Sequence, residues 1–194
     1  MSSKKILIVF LGMIGLGLSG FYLIQFGAYP VAIVGSSMIS ARSLETTALS
    51  AHRYYSQSLK AYGEERPGEI LEDHGTILEL RRAALDRLIE DAIIHRELKA
   101  RLGETLESAV TKKLDGLTFG DNTEDAVSVL YGLTFAEFRE MVLVPKAREE
   151  ILAGRVFGEG VSDFEELLKK SRQGVKVIIL APDLAWDGEK VAIK

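Results

Sequence analysis

The stretch ILELRRAALDRLIEDAIIHRELKARL, Ile77 to Leu102, decides the fold class, because a long helix accounts for its spacing of apolar residues. Ile77, Leu80, Ala84, Leu88 and Ala92 fall on one stripe of an α-helix, and Leu78, Leu85, Ile89 and Ile93 widen it into a core-facing side. Arg82 with Asp86, Arg87 with Asp91, and Glu97 with Arg101 stand four apart, the spacing of ion pairs on a solvated outer face. Gly103 ends the pattern.

Working outward, a helical pattern from Ser43 to about Tyr62 precedes this helix, across a Gly63–Gly75 loop that holds Pro67 and Gly68. After it come a helix over Glu104–Leu114, a turn at Gly116–Asn122 and a short helix over Thr123–Tyr131. Thr134-Phe-Ala-Glu137 spells a capping box, with Leu133 placed to staple against Phe138, and Pro145 is expected to kink the helix that follows. That helix resumes to about Arg155. Ser162-Asp-Phe-Glu165 spells a second box, opening a last helix to about Arg172.

The two ends change character. Val31–Val34 and Val175–Leu180 are β-rich apolar runs, and Leu184–Ile193 reads as a hairpin turning at Asp187-Gly188. A lone short strand is unstable, so the early strand is expected to pair with the one at 175–180 and bring both ends of the domain together.

The N-terminal segment has a different chemistry. Between Lys5 and Arg42 tyrosine is the only ionisable side chain, and Ile6–Ile24 (ILIVFLGMIGLGLSGFYLI) is continuously apolar. Nineteen helical residues extend about 28 Å, close to the hydrocarbon thickness of a bilayer. The segment is longer than a usual cleaved signal and lacks a good A-x-A site, so residues 1–28 read as a cytoplasmic N-terminus and retained anchor. Lys4 and Lys5 would hold the N-terminus inside, leaving residues 29–194 extracytoplasmic at a single-pass cell membrane.

Of 194 residues, 24 are Lys or Arg and 28 Asp or Glu; without the two anchor lysines the remainder carries −6. That acidic balance and the lack of a basic run argue against a nucleic-acid partner. There is no cysteine, which excludes disulfides, thiol nucleophiles and cysteine-held metals. His52, His74 and His95 have no ligand-like spacing; His95 lies one turn after Asp91 and could pair with it. The acidic run Glu64, Glu65, Glu69, Glu72 and Asp73 lacks the alternation and turn glycine of a calcium loop. Nucleotide and hydrolase motifs are absent from the exported part, so neither cofactor nor catalysis is expected.

Three segments resemble the N-terminal chaperone module of SurA-type and PrsA-type peptidyl-prolyl isomerases. Val31-Ala-Ile-Val-Gly-Ser-Ser-Met-Ile-Ser-Ala-Arg-Ser-Leu44 is similar to the family's opening strand, turn and first helix, with Gly35-Ser36 where the family carries Asn-Gly. Ala84–Leu98 is similar to its core helix. Tyr131-Gly-Leu-Thr-Phe-Ala-Glu-Phe-Arg-Glu140, running on to Val144-Pro-Lys-Ala-Arg148, is similar to a segment of membrane-anchored relatives. Phe164–Leu180 looks like the module's closing helix and strand. Only 39 residues follow Arg155, too few for the parvulin domain that carries isomerase activity.

The resemblance implies a mainly α domain with a small sheet joining its start and end. It also implies a membrane-anchored periplasmic chaperone that binds unfolded or membrane-associated proteins in an apolar groove. Tyr54, Tyr55, Tyr131, Phe135, Phe138, Met141 and Val142 are the candidate groove residues, each with ordinary core packing as its alternative. Two other readings stand beside this one: a structural or assembly subunit docked on a membrane protein, and a remnant or partner of an isomerase.

Overall fold

The computed structural model describes residues 24–64, 66–160 and 163–194. The expected membrane span thus lies outside the described residues but for Ile24, and among the described residues no helix is long and apolar enough to cross a membrane. In chain order the elements are β1 (Pro30–Val34), β2 (Ser37–Ser40), α1 (Ala41–Ala61), α2 (Pro67–Leu71), α3 (His74–Leu102), a 3-10 turn (Gly103–Thr105) and α4 (Leu106–Asp115). There follow α5 (Thr123–Tyr131), α6 (Phe135–Phe138), a π-helical segment (Arg139–Leu143), α7 (Val144–Gly158), α8 (Phe164–Gly174), β3 (Val177–Ile179), β4 (Leu184–Trp186) and β5 (Val191–Ile193). The domain is mainly helical with small antiparallel sheets, as the sequence leads one to expect.

The expected joining of the ends is present: β1 pairs antiparallel with β3, Ala32 opposite Ile179 and Val34 opposite Val177. On the other edge of β1 lies β2, in the order β2-β1-β3. This strand was not expected. It forms because Gly35, at φ +59°, permits a two-residue turn that folds Ser37 back opposite Val34. The C-terminal hairpin forms its own two-stranded sheet. Its turn is wider than Asp187-Gly188: the Asp187 carboxylate accepts from the backbone N–H groups of Glu189 and Lys190, both at 2.8 Å.

Helix ends follow local chemistry. Asp73 caps α3 by accepting from the N–H groups of Gly75 and Thr76, so the helix starts three residues before Ile77. Pro67, suited to a first helical position, opens the short α2 inside the expected loop. The Thr134–Glu137 capping box is made in both directions. The second box is not as expected: Asp163 is the cap, accepting from Glu166, and Ser162 lies outside the described residues. Pro145 likewise does more than kink its helix. Lacking an N–H, it sits in the first turn of α7, and the preceding turn widens to a π-helix in which Val144 donates to the Arg139 carbonyl.

Two apolar clusters share α3. Ala84, Leu85, Ile89 and Ile93 pack with Leu44, the strands and Leu184, whereas Ile94 and Leu98 pack with Leu106, Val110, Leu152, Val156 and Leu168. The deepest row of α3 is therefore Leu85, Ile89 and Ile93; Ile77, expected on the core stripe, is 41% exposed. Of the expected pairs on the outer face, Glu97–Arg101 is made, at 2.6 Å. The other two are replaced by partners from elsewhere. Arg82 turns to Glu79 and Arg87 to Glu90 and Glu149. Asp86 meets Arg172 of α8 and Asp91 meets Arg148 of α7. An Arg placed before its Asp at this spacing is the weaker orientation, and the competing guanidiniums are less exposed.

Candidate functional site

α1 and α3 lie side by side, joined on one flank by the Glu45–Arg81 ion pair. On the other flank they leave an open groove of about 720 Å³ whose end is closed by α2. Thr47, Ala51 and Tyr55 line it from α1, Leu71 from α2, and Thr76, Leu80, Ala83 and Ala84 from α3. Small side chains at facing positions leave the space between the helices unfilled. Charge is confined to Asp73, Glu79 and Arg87. Glu79 is held below the usual carboxylate range, first by its hydrogen bond from Arg82, so it stays ionised at neutral pH.

The seven aromatic and apolar candidates divide among four places. Tyr54 stacks on Tyr131, with ring centroids 5.2 Å apart and planes 14° from parallel. Tyr131 meets Phe138 at 5.1 Å, and Tyr54 meets Tyr55 edge-on at 5.9 Å. These four rings form one row linking α1, α5 and α6, and Tyr55 carries it to the groove. Burial and then the neighbouring Tyr54 raise the pKa of the Tyr131 hydroxyl. Phe135 stands apart, edge-on to Phe119 at 5.1 Å, a partner the sequence reading missed. Met141 lines a second recess of about 350 Å³ with Arg42, Thr46, Leu88 and Pro145. The two recesses share Thr47 and Arg87. Val142 is half-buried and lines neither. Of the seven candidates, Tyr55 lines the larger groove, which is centred on Ala51 and Ala83, and Met141 lines the second recess.

Backbone chemistry fixes the row. α5 ends at Gly132, φ +71°, and the Arg53 side chain lies against that glycine while its Nε donates to the Val129 carbonyl at 3.1 Å. The left-handed dihedral at residue 132 favours glycine, and the absent Cβ leaves room for the Arg53 side chain to lie against it.

Among the described residues no group of His, Asp and Glu is arranged to hold a metal ion. In the acidic run, Glu69 pairs with Arg66, Glu64 accepts from the Arg66 N–H and Asp73 caps α3, while Glu65 lies outside the described residues. His95 does not pair with Asp91, which Arg148 has taken; its Nε2 lies 3.9 Å from Glu107. Burial, followed by the Arg148 charge, lowers the His95 pKa. Compared with protein-family models, with curated proteins and with solved structures, the chain has no match.

Proposed function

We propose that the protein is a membrane-anchored, extracytoplasmic chaperone-like module that holds apolar segments of unfolded or assembling exported proteins, without catalysis. One observation carries the reading: the open groove between α1 and α3, floored by small apolar residues and edged by Tyr55. Such a groove fits an extended segment or one helix face, and the charged exterior keeps the module soluble while it is empty. The aromatic row beside it adds apolar surface with little rotamer entropy to lose. The resemblance to the SurA-type and PrsA-type chaperone module supports the same reading, and the pairing of the first strand with β3 agrees with what that resemblance implies. Under it, residues 6–24 are the anchor and the groove belongs to the periplasmic side.

The test is suppression of client aggregation, followed by light scattering, with the full chain in lipid nanodiscs. Ala83 is exposed on the groove floor, so Ala83→Glu keeps helix propensity and puts a charge where a client would lie. Suppression by the wild type, lost in Ala83→Glu and kept in Ala83→Leu, is the expected result. No suppression at molar excess, or equal activity in Ala83→Glu, overturns the reading.

A further inference from the structure

The outer face of the three-stranded sheet carries a row of large apolar side chains. Ile33 lies opposite Met38 on one side and Ile178 on the other, so the three cross the sheet in line, over about 10 Å. Their neighbours Ala32, Val34 and Ile39 point the other way, into the core. Met38 is 65% exposed and Ile178 39%, and Leu180, two residues further along, is 51% exposed. No charged residue occurs within β1, β2 or β3, and exposed Lys176 stands two residues before Ile178.

The chain that leads into this sheet is tied down. The Gly27 carbonyl accepts from the Arg42 N–H at 2.8 Å, and the Tyr29 carbonyl accepts from Ala41 at 2.9 Å. Gly27 has φ +61°, a left-handed dihedral that favours glycine, and a Cβ there would lie a tight 3.2 Å from the Arg42 nitrogen. Ile24, where the apolar segment ends, is three residues from this clamp. Three residues span at most about 10 Å. A domain clamped this close to the end of a membrane span has little room to stand away from the lipid, and one of its faces must meet the headgroups. Phe26 and Tyr29, each about half exposed, sit where interfacial aromatics belong.

We propose that the outer sheet face, Met38–Ile33–Ile178 with Leu180 and Lys176, rests on the surface of the bilayer that holds residues 6–24. This rests on the anchor reading given above. Shallow insertion of the row is favoured by apolar burial, and Lys176 is placed for anionic headgroups. Docking in this way fixes how the domain stands on its membrane.

The chain has no cysteine, so single labels can be placed cleanly. Gly15→Cys, Met38→Cys, Phe157→Cys and Ile178→Cys variants of the full chain are labelled with an NBD fluorophore. They are reconstituted into phosphatidylcholine–phosphatidylglycerol vesicles with and without doxyl lipids. Residue 157 is 80% exposed and belongs to α7, away from the sheet, and serves as the water-facing reference. The proposal expects deep quenching at 15, blue-shifted emission and quenching by shallow doxyl lipids at 38 and 178, and neither at 157. Quenching at 15 with water-exposed labels at 38 and 178 overturns the docking and leaves the anchor standing. A label at 15 that doxyl lipids do not quench overturns both. Blue-shifted labels at 38 and 178 without lipid quenching, together with cross-links between copies, give the face to a second chain and overturn it too.

Discussion

Replacing Arg172 by methionine tests whether one guanidinium holds α8 and the C-terminal hairpin against α3. Its Nη1 lies 3.4 Å from Asp86 and donates to the Glu189 carbonyl at 2.7 Å, while Nη2 donates to Glu90. Asp86 also accepts from the Val191 N–H at 3.0 Å, so α8, α3 and the β4–β5 hairpin meet at one charge. Burial works to lower the Arg172 pKa, but the Glu90 hydrogen bond and the charges of Asp86 and Glu90 outweigh it and hold the pKa above its ordinary value. Methionine keeps most of the apolar stem and removes the charge.

The size of the effect follows from burial. The Arg172 side chain is 14% exposed, Asp86 24% and Glu90 23%, between the exposed pairs worth about 0–1 kcal/mol and buried pairs whose breakage costs about 3–5 kcal/mol. Asp86 keeps its bond from Val191, so a loss of about 2–3 kcal/mol is expected. Leu168, with Phe164 and Leu167 packed beside it, still seats α8 on the second cluster, so the loss should be partial rather than a detachment of the helix. The assay is urea unfolding of the full chain in mild detergent, followed by far-UV circular dichroism, for Arg172→Met, Glu90→Gln and the double variant. The midpoint should fall at constant slope, and the cycle should give a coupling of about 1–2 kcal/mol. A loss below about 0.5 kcal/mol, or no coupling, would refute the hub.

Gly132→Ala forces a left-handed dihedral on a residue with a Cβ and should lower stability by about 1–2 kcal/mol, read as a shift of the urea midpoint. For His95, lowered in the folded state, the unfolded chain takes up a proton first as pH falls through about 6.5, so stability drops on acidification towards the folded pKa. His95→Gln should flatten that slope in unfolding titrations, and Arg148→Met should raise the folded value measured by NMR. In α1 the buried residues Ala41, Leu44, Ala48 and Ser50 all lie in the first half, so amide exchange should be faster over 52–61 than over 44–50. Uniform protection along the helix would contradict this.

The sequence made legible what rests on local chemistry. The β-branched runs at 31–34 and 175–180 announced themselves and could be joined because each needed a partner. Thr134 and Glu137 spelled their capping box. Ser37–Ser40 was not legible as a strand, since four residues with two serines carry almost no alternation and the pairing depends on the Gly35 turn. The partners of Asp86 and Asp91 come from 86 and 57 residues away, whereas a helical pattern shows neighbours four apart. Tyr54, Tyr131 and Phe138 were found because large rings stand out. The groove was missed because its signal is what Ala51 and Ala83 lack.

Of the two walls of the groove, α3 is the one that cannot give. One of its faces carries Leu85, Ile89 and Ile93 into the first cluster and its end carries Ile94 and Leu98 into the second, while Asp86, Glu90 and Asp91 are held by α8 and α7. Ala83 and Ala84, on the groove side, are thereby fixed in place. The opposite wall is the second half of α1, with no buried residue after Ser50 among those described. It is restrained instead by the Tyr54–Tyr131 stack and the Arg53–Val129 hydrogen bond, interactions worth about 1 kcal/mol each. Under the chaperone reading proposed above, segments of different girth would be seated by displacing residues beyond Ser50, at a cost the buried apolar area of a client offsets. On that reading the Tyr54–Tyr131–Phe138 rings, which link the second half of α1 to α5 and α6, would restrain the yielding wall at rest and offer apolar surface once it moves.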